Sequence, residues 1–268
     1  MMLDKNYKTI LLVEKDNYLE IILNRPEVHN ALNALMIEEL TNVFLKITKE
    51  KTFPIAVVLR GKGKSFCAGA DLNYMKNIAS YGYDENVKDG EKLANLFSSI
   101  YKCPFPTIAC VHGVAYGGAN GLLAACDIVV AEKSTRFSFS EVKLGIAPAT
   151  IAPFVLKRIG EYGAKELMLT GKQFYAAEAA RWHLVNIIAE DGSLDAERDK
   201  LLKDLKKGAP GAKRQTKELI HHIVNKENIE EDIFYTSDLI AKLRASEEGQ
   251  EGMAAFLDKR VPKWIKND

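Results

Sequence analysis

The sequence contains no apolar run that could cross a membrane, and neither sign of charge dominates it. A spanning helix needs roughly 18 consecutive apolar residues, and no such run occurs in the 268 residues of the chain. Lys and Arg together number 37 and Asp and Glu number 36, which leaves a net charge of +1. These facts argue against a membrane protein with helical spans and against a nucleic-acid-binding protein that is basic throughout.

The sequence also shows no targeting segment near its start. The first 20 residues are too charged for the apolar segment of a signal peptide and too acidic for a transit peptide. We therefore expect a cytoplasmic protein.

Cysteine is scarce, and its spacing is unlike that of a metal site. None of the four cysteines forms a CxxC pair, and all lie beside small or apolar residues. This pattern does not favour a zinc site or a redox motif, so we expect buried thiols and no metal ion. The cysteines are Cys67, Cys103, Cys110 and Cys126.

The composition and the apolar patterns predict an α/β protein. Apolar residues make up 47% of the chain and charged residues 27%, which is ordinary for a globular protein. Short apolar, β-branched runs at 54–60, 106–112 and 127–132 predict buried strands. Because turns and helical patterns separate these runs, we predict stacked βαβ units.

Local patterns near the start predict a hairpin and a helix. Apolar and polar residues alternate over 8–14 and 17–23, which predicts a hairpin around Asp16-Asn17. Apolar residues at helical spacing follow Asn33, so we predict a helix with Asn33 as its N-cap.

Two later segments depart from the strand–helix pattern. The polar, glycine-containing segment 79–90 predicts a mobile loop, followed by a helix at about 91–102. After about residue 190 the strand patterns end. We therefore predict a core over residues 1–192 and a helical C-terminal region over 193–268.

Two glycine-rich turns fail the nucleotide-binding patterns. GKGKS at 61–65 is not a phosphate-binding loop, because Val58 stands where that motif needs its first glycine. GVAYGG at 113–118 is not a dinucleotide-binding GxGxxG sequence.

The same turns fit a different chemistry. Each follows a predicted buried strand and opens a predicted helix, so each presents backbone N–H groups at a positive helix end. Two such turns facing one another would form a two-donor oxyanion hole, although tight strand-to-helix packing would also explain them. The small residues that would let a ligand approach the backbone are Ala68, Gly69, Ala70, Gly117, Gly118 and Ala119.

Glu141 is the candidate acid/base residue. It ends an alternating segment, FSFSE, shortly before Gly145 and Pro148. A carboxylate at this place is either a surface charge or a general acid/base, and the spacing alone leaves both open.

Five segments in order resemble the crotonase (enoyl-CoA hydratase/isomerase) superfamily. The resemblance implies an α/β crotonase (ClpP-like) fold, a spiral of β-β-α units with a C-terminal helical trimerisation region. It implies an acyl-CoA thioester as substrate, no bound cofactor, and a homotrimer or a hexamer built as a dimer of trimers. The segments are NRPEVHNALN at 24–33, GKGKSFCAGADL at 61–72, VHGVAYGGANGLLAACDIVVA at 111–131, FSFSEVKLGIAPATIAPFV at 137–155 and AFLDKRVPKW at 255–264.

The resemblance also implies roles for individual residues. The N–H groups of Ala70 and Gly118 would hold the thioester oxygen, with Gly117 in the same turn and Glu141 as the acid/base. His29 departs from the arginine often found at its position, so it cannot pair a phosphate as an arginine would. Tyr74 would line the acyl site. The implied CoA contacts are Val28, His29, Ala31, Ala68, Asp71, Leu72, Phe256 and Lys259.

Gly121 is the main departure from the superfamily pattern. Typical members that hydrate enoyl-CoA carry a second glutamate there, and glycine cannot activate water. Glu141 could act alone as a hydratase base, or one base could serve a double-bond isomerase or an acyl-CoA decarboxylase. Decarboxylase relatives carry a lysine where this chain has Ile78, which makes decarboxylation the less favoured alternative.

A finer resemblance points to a substrate. SEVKLGIAPATIAPFVLKRIG, starting at Ser140, is similar to the bacterial methylglutaconyl-CoA hydratases of leucine degradation. It implies hydration of 3-methylglutaconyl-CoA to 3-hydroxy-3-methylglutaryl-CoA. We infer that Gly121 leaves room for the 3-methyl group. The candidate partners for the distal carboxylate are Tyr74, Lys76, His112 and Lys143.

RNA binding is the alternative from a different class. Eight basic residues lie within 198–217, and a solvated helix face is the simpler interpretation. Acidic residues dilute this charge and no aromatic residues interleave with it, so the pattern does not favour nucleic acid as a partner. The basic residues are Arg198, Lys200, Lys203, Lys206, Lys207, Lys213, Arg214 and Lys217.

Overall fold

Strands and helices alternate up to Ala189, and in the described residues after it only helices follow. The computed structural model describes residues 6–15, 17–49, 54–225 and 228–265. The strands are β1 (Ile10–Glu14), β2 (Tyr18–Leu23), β3 (Ala56–Gly61), β4 (Thr107–Val111), β5 (Val114–Tyr116), β6 (Ile128–Glu132), β7 (Arg136–Ser138), β8 (Gln173–Tyr175) and β9 (Ile187–Ala189). The helices are α1 (Ala34–Ile47), α2 (Leu72–Ile78), α3 (Tyr83–Tyr101), α4 (Gly118–Ala125), α5 (Ala152–Thr170), α6 (Ala176–Arg181), α7 (Leu194–Lys207), α8 (Pro210–Val224), α9 (Ile229–Ala245) and α10 (Glu247–Leu257).

The predicted hairpin and capped helix are confirmed. β1 pairs with β2 in antiparallel fashion, although Asp16 of the predicted turn lies outside the described residues. The Asn33 side chain caps α1 by accepting a hydrogen bond from the Met36 N–H.

The main sheet has six strands in the order β1-β2-β3-β4-β6-β9. All its neighbours after the hairpin run parallel, as the repeated strand–turn–helix pattern predicts. A smaller sheet contains β5, β7 and β8. No strand was predicted for this second sheet, although the alternating segment FSFSE overlaps β7, because each of its strands has only three residues.

The central strands β3 and β4 are buried on both faces, which is the usual state of parallel strands. Along β3, Val57 and Leu59 enter the large core shared with α1, α3 and α4. Their neighbours Ala56 and Val58 face the other way, into a smaller core that contains Leu194 of α7. Because successive side chains of a strand point to opposite faces, β3 contributes residues to both cores.

The predicted mobile loop at 79–90 is wrong, because α3 begins at Tyr83. The Gly82 N–H donates to the Glu85 carboxylate over 3.0 Å, and Asp84 adds a second acidic residue to the first turn. Acidic groups near a helix N-terminus stabilise the helix. They explain why α3 begins at Tyr83, which the composition of the segment did not indicate.

The C-terminal region is helical, as expected. Its first helix, α7, packs against β4, β6 and β9, whereas α8, α9 and α10 pack mainly on one another. The boundary at residue 192 stays a prediction. Among the described residues, no helix is both long enough and apolar enough to span a bilayer.

The basic stretch in this region is not a uniformly solvated face. Arg198 is buried and pairs with Asp195 and Asp199, and Lys217 pairs with Asp127 over 2.7 Å. The Lys217 pair anchors α8, and Arg198 also lies 3.6 Å from Glu20 of β2, which anchors α7. All these pairs neutralise positive charge that would otherwise bind an RNA phosphate.

The four cysteines are buried free thiols, as predicted. Burial raises the pKa of Cys67, Cys110 and Cys126 to about 12 and that of Cys103 to about 11. The thiols therefore stay protonated near neutral pH and are inert.

Candidate active site

The two glycine-rich turns lie side by side, as the oxyanion-hole hypothesis requires. The Cys67 N–H donates to the Val114 carbonyl over 3.1 Å, and the Tyr116 N–H donates to the Cys67 carbonyl over 3.2 Å. Gly69 has a φ of +94°, and a Cβ there would lie 2.8 Å from the Tyr116 carbonyl oxygen. Only glycine permits this approach.

The Ala70 N–H faces away from its neighbouring strand segment. Leu32 forms an isolated bridge with Ala70, in which the Leu32 N–H donates to the Gly69 carbonyl and the Asp71 N–H donates to the Leu32 carbonyl. Because the flanking residues make both hydrogen bonds, the N–H of Ala70 points to the opposite side. Ala70 is exposed, so this N–H can reach a ligand.

The second donor lies at the start of α4. Gly117, the N-cap, has a φ of +51° and donates its N–H to the Ser138 carbonyl over 2.9 Å. Gly118 is the first helical residue, and the first N–H groups of a helix have no partner within it. The Leu32 side chain lies 3.4 Å from where a Gly118 Cβ would be, so Leu32 contacts both turns.

Glu141 lies beside this second turn. It belongs to a short 3-10 helix, Ser140–Leu144, that directly follows β7. Its Oε1 lies 3.4 Å from where a Cβ of Gly117 would be. Its Oε2 is buried and has no hydrogen-bond partner in the described part of the chain. Burial raises the pKa of Glu141, which suits a carboxyl that exchanges a proton.

Gly121 does not leave room for a substrate methyl group, so that inference is wrong. A Cβ at Gly121 would lie 2.5 Å from Ile151 Cγ2 and 2.7 Å from Phe97 Cζ. Packing against these two side chains, and not an open pocket, accounts for the glycine. The same packing excludes a second carboxylate at this position.

The first loop, residues 24–33 between β2 and α1, leaves two of its three implied CoA contacts exposed. Val28 and His29 are exposed on the turn that follows Pro26, and the His29 Nδ1 lies 3.1 Å from the Ser65 Oγ. Ala31 is buried. The Ala68 N–H is already used, since it donates to the His29 carbonyl over 3.0 Å.

The Asp71 carboxylate has a structural role, because both of its oxygens already accept hydrogen bonds from the protein. Its Oδ2 accepts a hydrogen bond from Arg25 over 2.8 Å, and its Oδ1 accepts from the N–H groups of Asn73 and Tyr74. These donors outweigh the opposing effect of burial, which is the largest single influence, and they hold the pKa of Asp71 below its ordinary value. Leu72, the next residue, is 76% exposed and available to a ligand.

The structure corrects two of the candidate partners for a distal carboxylate. Tyr74 is buried, and its hydroxyl donates to the Asp89 carboxylate over 2.7 Å, so it has no proton left to offer. The His112 Nε2 lies 2.9 Å from the Gly63 carbonyl. Lys76 and Lys143 are exposed and stay candidates.

Sequence reasoning missed Arg25, Leu32 and Asp89. Arg25 also donates to the Ala31 carbonyl over 2.6 Å, so it joins the first loop to Asp71. No local pattern marks Leu32 or Asp89, because their partners lie far along the chain. Phe256 and Lys259 lie at the end of α10 and just beyond it, and their contacts with CoA stay predictions. In the described ranges, no group of three or more His, Cys, Asp or Glu could hold a metal ion.

Known proteins resemble this chain over nearly its whole length. The enoyl-CoA hydratase/isomerase family model matches residues 14–267. A provisionally named enoyl-CoA hydratase of Thermus thermophilus is 35% identical over 252 residues, or 94% of this chain and 99% of the relative. A mevalonyl-coenzyme A hydratase of Aspergillus fumigatus is 33% identical over 246 residues, or 91% of this chain and 90% of the relative. The crystal structure of an enoyl-CoA hydratase from Shewanella pealeana superposes with a TM-score of 0.93 at 34% identity and covers 97% of both chains.

Proposed function

The chain belongs to the enoyl-CoA hydratase/isomerase family, and from this premise we propose that it adds water to a 2-enoyl-CoA with Glu141 as its single acid/base. The observation that carries the proposal is the Glu141 carboxylate. It is half-buried beside the Gly117–Gly118 turn, and its Oε2 has no hydrogen-bond partner among the residues that the structure describes.

The proposed reaction needs one proton carrier and two donors. Water adds through its oxygen to C3 of the enoyl thioester while Glu141 takes a proton from it. The electron pair of the double bond moves toward the thioester oxygen, where the N–H groups of Ala70 and Gly118 stabilise the enolate. Glu141 then returns the proton to C2. One such donor is typically worth ~100- to 1000-fold in rate.

For the substrate we propose 3-methylglutaconyl-CoA, which would give 3-hydroxy-3-methylglutaryl-CoA in leucine degradation. The segment from Ser140 supports this proposal by its resemblance to that branch of the family. A relative named for mevalonyl-CoA adds support, since a mevalonyl group also carries a hydroxyl and a methyl group on C3. With Tyr74 committed to Asp89, the distal carboxylate would depend on Lys76 or Lys143.

Hydration of 3-methylglutaconyl-CoA and of crotonyl-CoA, measured side by side, tests this proposal. We expect loss of the conjugated enoyl thioester, a product heavier by one water, and preferred turnover of the methylglutaconyl substrate. Preference for crotonyl-CoA would contradict the substrate and leave the hydratase. Hydration of neither compound would contradict the hydratase itself.

Isomerisation of a 3-enoyl-CoA to a 2-enoyl-CoA is the second candidate. The specific observation in its favour is the Gly121 position, which Phe97 and Ile151 close to any second carboxylate. An isomerase needs one base that removes a proton and delivers it to another carbon. Formation of 2-enoyl-CoA from 3-hexenoyl-CoA without a gain of water would support this candidate.

The pH profile of the reaction should report the burial of Glu141. The ionised carboxylate is the form that accepts a proton from water, so kcat/KM should fall as the pH falls through the pKa of Glu141. Because burial raises that pKa, the midpoint should lie above the ordinary glutamate value of ~4.3. A profile that stays flat down to that value would contradict the role of Glu141.

We also propose that the chain works in the cytoplasm as a homotrimer or as a dimer of trimers. The C-terminal helices support assembly, because α9 and α10 leave large apolar side chains exposed that an interface would cover. These include Ile229, Ile233, Phe234, Phe256 and Leu257. Native mass measurement in dilute solution would test the assembly, and a monomer would contradict it.

A further inference from the structure

We propose that Asp89 is a positioning residue for the oxyanion hole, acting through Tyr74 on the Ala70 turn. The proposal rests on the role of the Ala70 N–H in the proposed function. It assigns to α3 a part in catalysis beyond packing.

The helix α2 is short and buries little of its own surface. This helix has seven residues, and Tyr74 is its one buried side chain. A helix this short is not stable by itself, so its direction depends on contacts with other elements. Asp71, its N-cap, directly follows Ala70. The Ala70 N–H lies between the Leu32 bridge and α2, so its direction depends on both.

Two side-chain attachments hold this short helix, in addition to the packing of Ile78 on the core and the hydrogen bond from the Asp71 N–H to the Leu32 carbonyl. The Arg25–Asp71 ion pair, 2.8 Å long, fixes its N-terminus to the first loop. The Tyr74 hydroxyl, donating to Asp89 over 2.7 Å, fixes its buried side to α3. A tyrosine hydroxyl in an apolar setting needs a partner, and the Asp89 carboxylate raises the pKa of Tyr74 further above the value that burial gives it.

Asp89 lies on a part of α3 that is held in place by the buried Phe97. Asp89 and Phe97 are eight residues apart, about two turns, so they share one face of the helix. Phe97 is fully buried and packs where a Gly121 Cβ would be. In the described residues of 83–90, the Tyr74–Asp89 contact is the one side-chain hydrogen bond to another element. The same rigid helix therefore contacts α4, which carries Gly118, and α2, which follows Ala70.

The test compares Asp89→Ala with Asp89→Asn. Alanine leaves the buried hydroxyl without an acceptor, whereas the asparagine amide oxygen can still accept its proton. For the alanine variant we expect kcat to fall ~10- to 100-fold, less than the loss of a whole donor, with KM nearly unchanged. The asparagine variant should recover most of kcat. Asp84→Ala, on the exposed first turn of the same helix, is the matched control and should keep the wild-type kcat and enolate signal.

Binding of acetoacetyl-CoA separates this inference from the proposed function, because it requires no turnover. Its enolate absorbs in the near ultraviolet, so a well-placed oxyanion hole increases that absorbance. We expect a weaker enolate signal in Asp89→Ala at unchanged affinity for CoA. If that variant does not fold, Tyr74→Phe removes the same hydrogen bond and should weaken the signal equally.

Three results would overturn the role of Asp89. Wild-type kcat and enolate signal in Asp89→Ala, even with a lowered melting temperature, would show a structural role only. An equal loss in Asp84→Ala would show a general effect of α3. Failure of Asp89→Asn to exceed Asp89→Ala would show that the hydrogen bond is not the cause.

Discussion

Glu141→Gln is expected to lower kcat by ~100- to 10,000-fold, the range that general acid–base groups supply. The amide keeps the shape of the side chain but cannot take a proton from water or return one to C2. The affinity for CoA should stay unchanged, because the substitution leaves the first loop and both glycine-rich turns intact. Steady-state hydration and CoA titration measure the two effects separately.

Stability should move in the opposite direction to activity. Burial raises the pKa of Glu141, so the folded protein binds this proton more tightly than the unfolded chain does. The ionised carboxylate therefore lowers stability above the raised pKa. Glu141→Gln should melt at a higher temperature than the wild type near neutral pH, and this difference should shrink as the pH falls toward the ordinary glutamate range.

Glu38→Gln is the matched control for both measurements, since Glu38 is exposed on α1. It should change neither kcat nor the melting temperature. Near-normal turnover by Glu141→Gln would remove Glu141 from the mechanism. A lowered melting temperature at neutral pH would contradict the burial cost of its charge.

Gly69→Ala is expected to lower activity by ~100- to 1000-fold, as the loss of one oxyanion donor does. The new Cβ would lie 2.8 Å from the Tyr116 carbonyl oxygen, and the φ of +94° is already unfavourable for alanine. Because the obstructing atom belongs to the backbone, the two turns must separate. The Ala70 and Gly118 N–H groups then no longer converge on one oxygen.

Gly192→Ala isolates the backbone effect from the steric one. Gly192 has a φ of +82°, and nothing lies within 4 Å of where its Cβ would be. This control should cost only the ~1–2 kcal/mol of a left-handed alanine and keep wild-type kcat. If Gly69→Ala also keeps wild-type kcat once folded, the contact between the turns does not align the donors.

The sequence predicted those parts of the fold that depend on local pattern. The β-branched runs placed β3, β4 and β6, and the cap at Asn33 placed α1, because period and capping act within a few residues. The facing of the two turns was a hypothesis from their shared place between a buried strand and a helix, and no local pattern could establish their contact. The three-residue strands of the second sheet carried too short a pattern to be detected.

Features that depend on distant partners could not be predicted. Asp89 meets Tyr74 across 15 positions of chain, and Gly121 meets Ile151 across two strands and a 3-10 helix. From the sequence alone, a glycine that leaves space for a ligand cannot be distinguished from a glycine whose Cβ position is filled by a neighbouring side chain. The wrong inference at Gly121 arose from this ambiguity. The wrong prediction of a loop at 79–90 arose because glycine and polar residues were taken as signs of a loop, although capping of the first turn of α3 offsets them.

The packing around Gly121 also limits how this chain could change. Glutamate there would collide at its Cβ, before its carboxylate is even considered, with Ile151 and Phe97. A two-carboxylate site would therefore require smaller residues at 97 and 151 first, and each of those replacements alone would leave a cavity in the core. A carboxylate at position 121 would therefore be reached only through less stable intermediates, so Phe97 and Ile151 together keep this position a glycine.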